Sequence, residues 1–314
     1  MKSTFSPNRV AEIVGVPREQ VLRWENEGAL KPTRDDRNQR RFTPEDVRRA
    51  LELTGQRVRK RISVVNQKGG VGKTTTAFNL SAALVLEGRR VLVIDLDAQA
   101  SLTVSFGLTP ENFPRTSHDL LVNDETTAEE VIVRTAYDGL DLVPSDIRLA
   151  SADVMLREMI MRERILLTKL EPILERYDFV LFDCPPNLST ITINALVAST
   201  DAVVPMETQY YSIRAVDDLS RTFHVLSSRM RHDLEVWMLP VKIDRRIKAS
   251  MECLAKMEES FSGRLLTAVR TDANLMKAPL AHEPAVMAFP AARGAKDYRR
   301  IARELLGTRV RAYE

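Results

Sequence analysis

The stretch Ile62-Ser-Val-Val-Asn66, followed at once by Gln67-Lys-Gly-Gly-Val-Gly-Lys-Thr-Thr75, decides the fold. A short run of buried-strand character leads straight into a glycine loop. Helical periodicity then follows through Ala77, Leu80, Ala83 and Leu84. Strand, glycine loop and helix in that order are the context of a phosphate-binding loop. Glycines let successive N–H groups curl around phosphate oxygens, and the helix N-terminus adds the positive end of its dipole. Gly69, Gly70, Val71, Gly72, Lys73, Thr74 and Thr75 are therefore the candidate nucleotide-binding residues. Lys73 supplies a point charge for the outer phosphates, and the Thr74 hydroxyl is placed to ligate magnesium. The ordinary spacing G-x-x-x-x-G-K-[ST] requires glycine at position 67. Gln67 stands there instead, and a second lysine, Lys68, lies inside the loop.

Two further strands point to the same place. Arg90-Val-Leu-Val-Ile-Asp-Leu-Asp97 reads as a buried strand ending in two carboxylates, Asp95 and Asp97, and Phe179-Val-Leu-Phe-Asp183 as another, ending before Cys184-Pro185-Pro186. Ligands of open α/β sheets sit beyond the carboxyl ends of the strands, so the three aspartates are expected to converge on the phosphates. Asp183 suits the acidic magnesium partner, acting through water. Asp95 and Asp97 have a plainer alternative as helix caps or a buried pair. The expected fold is α/β: a P-loop NTPase with a doubly wound, mostly parallel sheet, preceded by a small α-rich domain.

That small domain is densely punctuated. Ser6-Pro7 begins a helix with Val10, Ile13 and Val14 on its apolar face and Gly15 as its stop. Pro17 opens a second helix with Val21, Leu22 and Trp24 inward, closed by Gly28, and Thr43-Pro44-Glu45-Asp46 starts a third. The first two make a helix-turn-helix, whose second helix reads the major groove while arginines of a following wing contact phosphates. Arg18, Gln20 and Arg23 are the groove candidates; Arg40 and Arg41 are the wing candidates. Arg57 to Arg61 is a basic junction, either a linker or a strap on phosphates.

Charge follows this division. Residues 1–61 hold 15 Lys and Arg against 9 Asp and Glu, net +6, and the remainder holds 31 against 34, net −3. A basic head on a slightly acidic body suggests nucleic-acid binding at the N-terminus, with a solvated surface as the alternative. Apolar residues at 44% and charged residues at 28% mark a globular chain. No apolar run approaches the roughly 18 residues of a membrane span, and Met1 to Phe5 lack a signal-peptide pattern, so a cytoplasmic location is expected. Cys184 and Cys253 lack metal-ligand spacing, and His118, His224, His232 and His282 are scattered.

The head resembles the N-terminal winged helix of MerR-type regulators through Phe5-Ser6, Gly15-Val16, Leu22-Arg23-Trp24-Glu25, Leu30-Lys31-Pro32 and Arg41-Phe42-Thr43-Pro44. That family's long dimerisation helix and effector domain do not follow, so only DNA reading is implied. The body resembles the ParA family of partition ATPases, within the MinD/ParA class of deviant-loop NTPases. The match includes Lys68 to Thr75, Asp95-Leu-Asp-Ala-Gln99, Tyr177 to Pro186, Val204-Pro205, Pro284-Ala-Val286 and Arg293-Gly-Ala295. The domains expected are 1–56, a linker 57–61, and 62–314.

The resemblance implies ATP and Mg2+ as cofactors and a homodimer closed around ATP. It implies that Lys68 reaches the partner subunit's phosphates, Asp97 positions the attacking water with Asp95 beside it, and Asp183 is the Walker B carboxylate. It further implies non-specific DNA binding by the ATP dimer, a ParB-like or other stimulating partner, and association with the nucleoid. Asn274 stands where the family carries an arginine. Arg270 and Lys277 are nearby substitutes for it, and Arg245, Arg246 and Lys248 form a separate basic cluster, for all of which a solvated face is the alternative. Two rival readings stand beside this one: an operator-binding repressor controlled by nucleotide, and a MinD-type membrane-cycling ATPase using the last helix, Tyr298 to Leu306. No stable membrane association is expected.

Overall fold

Ser6 caps the first helix by accepting a hydrogen bond from the Arg9 N–H at 3.2 Å, and Pro7 presets the first turn. In this computed structural model, which describes residues 4–56, 58–208 and 216–307, α1 (Pro7–Val14) ends at Gly15 in the left-handed region. It is followed by α2 (Arg18–Asn26). A two-stranded antiparallel wing comes next, β1 (Thr33–Arg34) with β2 (Arg40–Arg41). Thr43 and Asp46 then form a reciprocal capping box that opens α3 (Pro44–Leu53). Val10, Val14, Val21, Trp24, Leu30, Phe42, Val47 and Leu51 close the head's core. Leu22, expected inward, is only half-buried because it faces the side of α2 turned from that core.

The body is one seven-stranded sheet made of β3 (Lys60–Val64), β4 (Val91–Asp95), β5 (Val133–Arg134), β6 (Leu140–Val143), β7 (Phe179–Asp183), β8 (Asp201–Glu207) and β9 (Glu235–Val241), in the order β5-β6-β4-β7-β3-β8-β9. Every pairing is parallel except β5 with β6 at one edge. Strands buried on both faces read as continuous apolar runs, and alternate residues feed two cores. Leu92, Ile94, Val180 and Phe182 enter one; Val91, Val93, Phe179 and Leu181 enter the other. On the second face lies α4 (Lys73–Leu86), covered by the C-terminal helix Arg293–Leu305 through Tyr298, Ile301 and Leu305. The Tyr298 and Thr76 hydroxyls meet at 3.0 Å. This is the α/β, doubly wound architecture expected from the sequence.

β3 begins at Lys60, so the last two cations of the basic junction lie in its opening residues. The Lys60 ammonium meets Asp201 at 2.6 Å, and the Arg61 guanidinium donates to the Ala198 carbonyl. Arg59 pairs with Glu175. The body's own acceptors pair with all three of these cations.

The head sits against the far end of α4. The Arg9 guanidinium pairs with the buried Glu87 at 2.7 Å and donates to the Leu86 carbonyl, while Arg303 of the C-terminal helix meets Glu87 from the other side at 2.9 Å. Beside them Gly88, at φ +73°, lets Val47 of α3 approach so closely that an added Cβ would lie 2.3 Å from its Cγ1.

Candidate active site

Gly70 and Gly72 turn the loop at φ 72° and 85°, a left-handed backbone that costs an L side chain roughly 1–2 kcal/mol. Gly72 is also the cap from which α4 starts, so the helix's free N–H groups open directly onto the loop. Lys73, the first residue of α4, is 6% exposed and donates its ammonium to the Lys68 carbonyl at 3.1 Å. Burial lowers its pKa, partly opposed by the negative charge of Asp183. A cation held in a dry loop without a close carboxylate is what an incoming phosphate would pair with.

Sheet register sets the carboxylates. β4 and β7 pair Asp95 with Asp183, and β7 pairs Asp183 with Val64 at the end of β3, next to the loop. The Asp95 oxygens are both engaged: Oδ1 accepts from the Asp97 N–H, and Oδ2 accepts from the Thr103 N–H and hydroxyl. Burial raises its pKa to about 6 against those hydrogen bonds. Asp95 therefore shapes the turn that carries Asp97, with hydrogen bonds on both of its oxygens. Asp97 is half-buried at the rim; its Oδ1 accepts from the Gln99 N–H, and its carbonyl accepts from Ser145.

Asp183 is different in kind. It is fully buried, and neither carboxylate oxygen has a hydrogen-bond partner. The nearby Thr74 hydroxyl eases its charge without reaching hydrogen-bond geometry. Burial first, and then the charge of Asp95, push its pKa well above the usual carboxylate range. An orphaned carboxylate with a hydroxyl beside it, at the foot of a phosphate loop, fits a hard divalent cation that seeks oxygen ligands.

Two residues that sequence reasoning missed complete the rim. Glu207, at the carboxyl end of β8, holds Lys68 through Oε2 and Lys242 through Oε1, each at 2.6 Å. Lys242 follows β9 directly and donates also to the Gly70 carbonyl at 2.7 Å. Burial would raise the Glu207 carboxyl, but hydrogen bonds from the two ammonium groups outweigh it and hold the pKa low. Lys68 thus lies across the rim within its own subunit, half exposed. Both missed residues stand at strand carboxyl ends, the one signal that could have found them.

The DNA candidates are dispersed. Arg18 and Arg23 are exposed on α2 with Gln20 half-buried, and Arg23 pairs with Glu27 along the helix. Both wing arginines are engaged internally, Arg40 with Glu25 at 2.6 Å and Arg41 with Asp35 at 2.9 Å. Arg245, Arg246, Lys248 and Lys277 are exposed, with Arg246 forked onto Asp244. The Arg270 guanidinium is taken up by Asp297, at 2.7 and 3.0 Å, and clamps the C-terminal helix to the β9 side of the sheet.

Comparison with known proteins agrees with this geometry. The AAA domain family model matches residues 59–236, and the model for MerR HTH family regulatory proteins matches residues 5–56. The sporulation initiation inhibitor protein Soj of Bacillus subtilis is 34% identical over 78% of this chain and 98% of its own length. The chromosome partitioning protein ParA of Myxococcus xanthus is 30% identical over 78% and 87%. Among solved structures, cobyrinic acid a,c-diamide synthase from Mycobacterium smegmatis with bound ATP analog and magnesium is 34% identical, covering 79% of this chain and 95% of that one at a TM-score of 0.69. A glycine loop, its two strand-end aspartates and these alignments together make the chain a member of the ParA family of P-loop ATPases, carrying a MerR-type helix-turn-helix at its N-terminus.

Proposed function

We propose that this chain is a magnesium-dependent ATPase of the partition and cargo-positioning kind, whose nucleotide state governs self-association and DNA binding. The observation that supports it most is the orphaned Asp183, set by sheet register beside a phosphate loop that holds Lys73 dry. The loop N–H groups and Lys73 bind the phosphates, while Thr74 and Asp183 hold magnesium. That ion, when bound, offsets phosphate charge. The nucleoside half fits a cavity of about 400 Å³ next to the loop, floored by Val71, Val269, Leu275, Met276 and Pro279. Asp97 orients the attacking water. Lys68 leaves Glu207 to reach the nucleotide of a second subunit, so that hydrolysis waits for the dimer and then for a ParB-like or other stimulating protein.

In this reading residues 1–56 are the DNA-reading head, 57–61 its connection and 62–314 the ATPase, working at the nucleoid in the cytoplasm. Arg245, Arg246, Lys248 and Lys277 give sequence-independent DNA contact, and the exposed face of α2 reads an operator. The C-terminal helix turns Ile301 and Leu305 onto the core, which leaves a membrane-cycling ATPase without an apolar anchor among the described residues. DNA binding to a random fragment and to the chain's own promoter, with ATP and with ADP, tests the proposal. ATP-dependent binding to the random fragment that falls steeply with salt supports it. Promoter-specific binding indifferent to nucleotide, with no coating of random DNA, would replace it with a nucleotide-controlled repressor.

A further inference from the structure

A cavity of about 510 Å³ lies where the head meets the body. Glu45 and Arg48 line it from α3; the body contributes three arginines, Arg89, Arg90 and Arg134, against two carboxylates, Asp138 and Asp141. Its size is that of a small-molecule site, which typically spans roughly 300–1,000 Å³. It lies at the opposite end of α4 from the phosphate loop.

Arg89 sets this cavity apart from an ordinary crevice. The residue is 5% exposed, and its Nε and Nη1 atoms are buried without a hydrogen-bond partner. No ion pair holds it among the described residues; the charges of Asp178 and Glu87 act on it only from farther away. Its neighbours are engaged: Arg48 pairs with Glu45, and Arg90 forms an ion pair at 3.7 Å with Asp141, which accepts a hydrogen bond from the Tyr177 hydroxyl. Burial lowers the Arg89 pKa, as expected of a charge taken from water without full compensation. Leaving a guanidinium buried and unpaired is costly unless an anion completes it. Its planar fork matches the paired oxygens of phosphate and carboxylate groups.

We propose that the head–body cavity is a binding site for a small phosphate- or carboxylate-bearing ligand, recognised by Arg89 with Arg90 and Arg134. The occupant bridges α3 and the strand-edge loops of the ATPase, so binding also tightens head docking. This site is separate from the nucleotide site and does not depend on that reading.

Thermal unfolding of the full chain with millimolar pyrophosphate, and separately with citrate, tests it. Wild type and Lys73→Ala are both expected to rise in unfolding midpoint. A response to pyrophosphate alone identifies phosphate chemistry, and a response to citrate alone identifies carboxylate chemistry. Arg89→Met keeps the aliphatic stem and removes the unpaired charge, so its ligand-free midpoint should equal or exceed wild type while the ligand response disappears. Arg134→Ala, on an exposed edge strand, should weaken binding about tenfold and carries the test should Arg89→Met not fold. No response to either probe in wild type overturns the proposal. So does a response that Lys73→Ala abolishes, or one that survives unchanged in Arg89→Met or Arg134→Ala.

Discussion

Gly88→Ala is expected to prise the head from the body. An alanine Cβ at this position lies 2.3 Å from Val47 Cγ1, 2.9 Å from Val47 Cβ and 3.6 Å from Cγ2. Carbon atoms rest at about 3.5–4.0 Å, and rotating Val47 cannot move its own Cβ. Val47 is fully buried, so the clash must shift backbone, an overpacking cost of about 1–3 kcal/mol. The φ of +73° adds left-handed strain of roughly 1–2 kcal/mol, for a total of about 2–5 kcal/mol. Gly139→Ala isolates the strain, because its φ is +87° but its nearest neighbours, Arg89 O and Val85 Cγ1, lie at 3.6 and 3.8 Å. Adding Val47→Ala to Gly88→Ala removes the methyl groups at 2.3 and 3.6 Å but keeps the contact at 2.9 Å, so rescue is partial. Thermal unfolding of the four variants, with limited proteolysis between α3 and β3, measures this. Gly88→Ala should unfold below Gly139→Ala and be cut sooner. The double variant should be more stable than the sum of its single changes by about 1 kcal/mol or more. Equal midpoints for Gly88→Ala and Gly139→Ala, or strict additivity with Val47→Ala, would refute the argument that Val47 clasps the body at Gly88.

The remaining predictions concern the nucleotide site. Asp97→Ala should still form the ATP-dependent dimer in size-exclusion chromatography while hydrolysis drops about a hundredfold or more; normal turnover would remove Asp97 from its role. Glu207→Gln should release Lys68 and raise ATP-dependent dimerisation by about two- to fivefold. That modest figure reflects a half-exposed, solvent-screened ion pair, and a fall in dimerisation would count against the release step. Asp183→Asn should raise the unfolding midpoint of the nucleotide-free chain by a few degrees and abolish the magnesium-dependent part of stabilisation by ADP. The sign follows from linkage: the folded pKa of Asp183 stands above its unfolded value, so as pH rises through that window the unfolded chain releases its proton first and folding weakens. The gain from asparagine should therefore be larger at about pH 8 than at about pH 5, and a uniform loss at both would contradict the buried, unpaired state of the carboxylate.

How much of this was legible in the sequence depended on how local each signal is. The phosphate loop is a run of consecutive residues whose glycines and flanking periodicities carry their own meaning. Asp183 could be placed because a strand end is a fixed address in a parallel sheet. The turn that Asp95 holds was not legible, since nothing along the chain says that Thr103 folds back onto its Oδ2. Glu207 was invisible as the shared partner of Lys68 and Lys242: an ion pair spanning 139 positions leaves no periodic trace. The wing arginines and Arg270 show the converse. A cation-rich segment suggests phosphate contact and says nothing of Glu25, Asp35 and Asp297, distant in sequence for two of the three, with which these charges pair. The head–body junction was equally silent, because Arg9, Glu87 and Arg303 come together only after both units have folded.

One consequence of α4 concerns transmission. Its 14 residues form a rod of about 21 Å with the phosphate loop at one tip and the residues clasped by the head at the other. A rod pivoting near its loop end by about 5° carries its opposite tip through roughly 2 Å, more than the slack between Gly88 and Val47 allows. Whatever tilts this lever must carry the reading head along or loosen its grip. By reciprocity, whatever pins the head resists the tilt. The loop end and the head-bearing end of the molecule would then feel one another through a single helix.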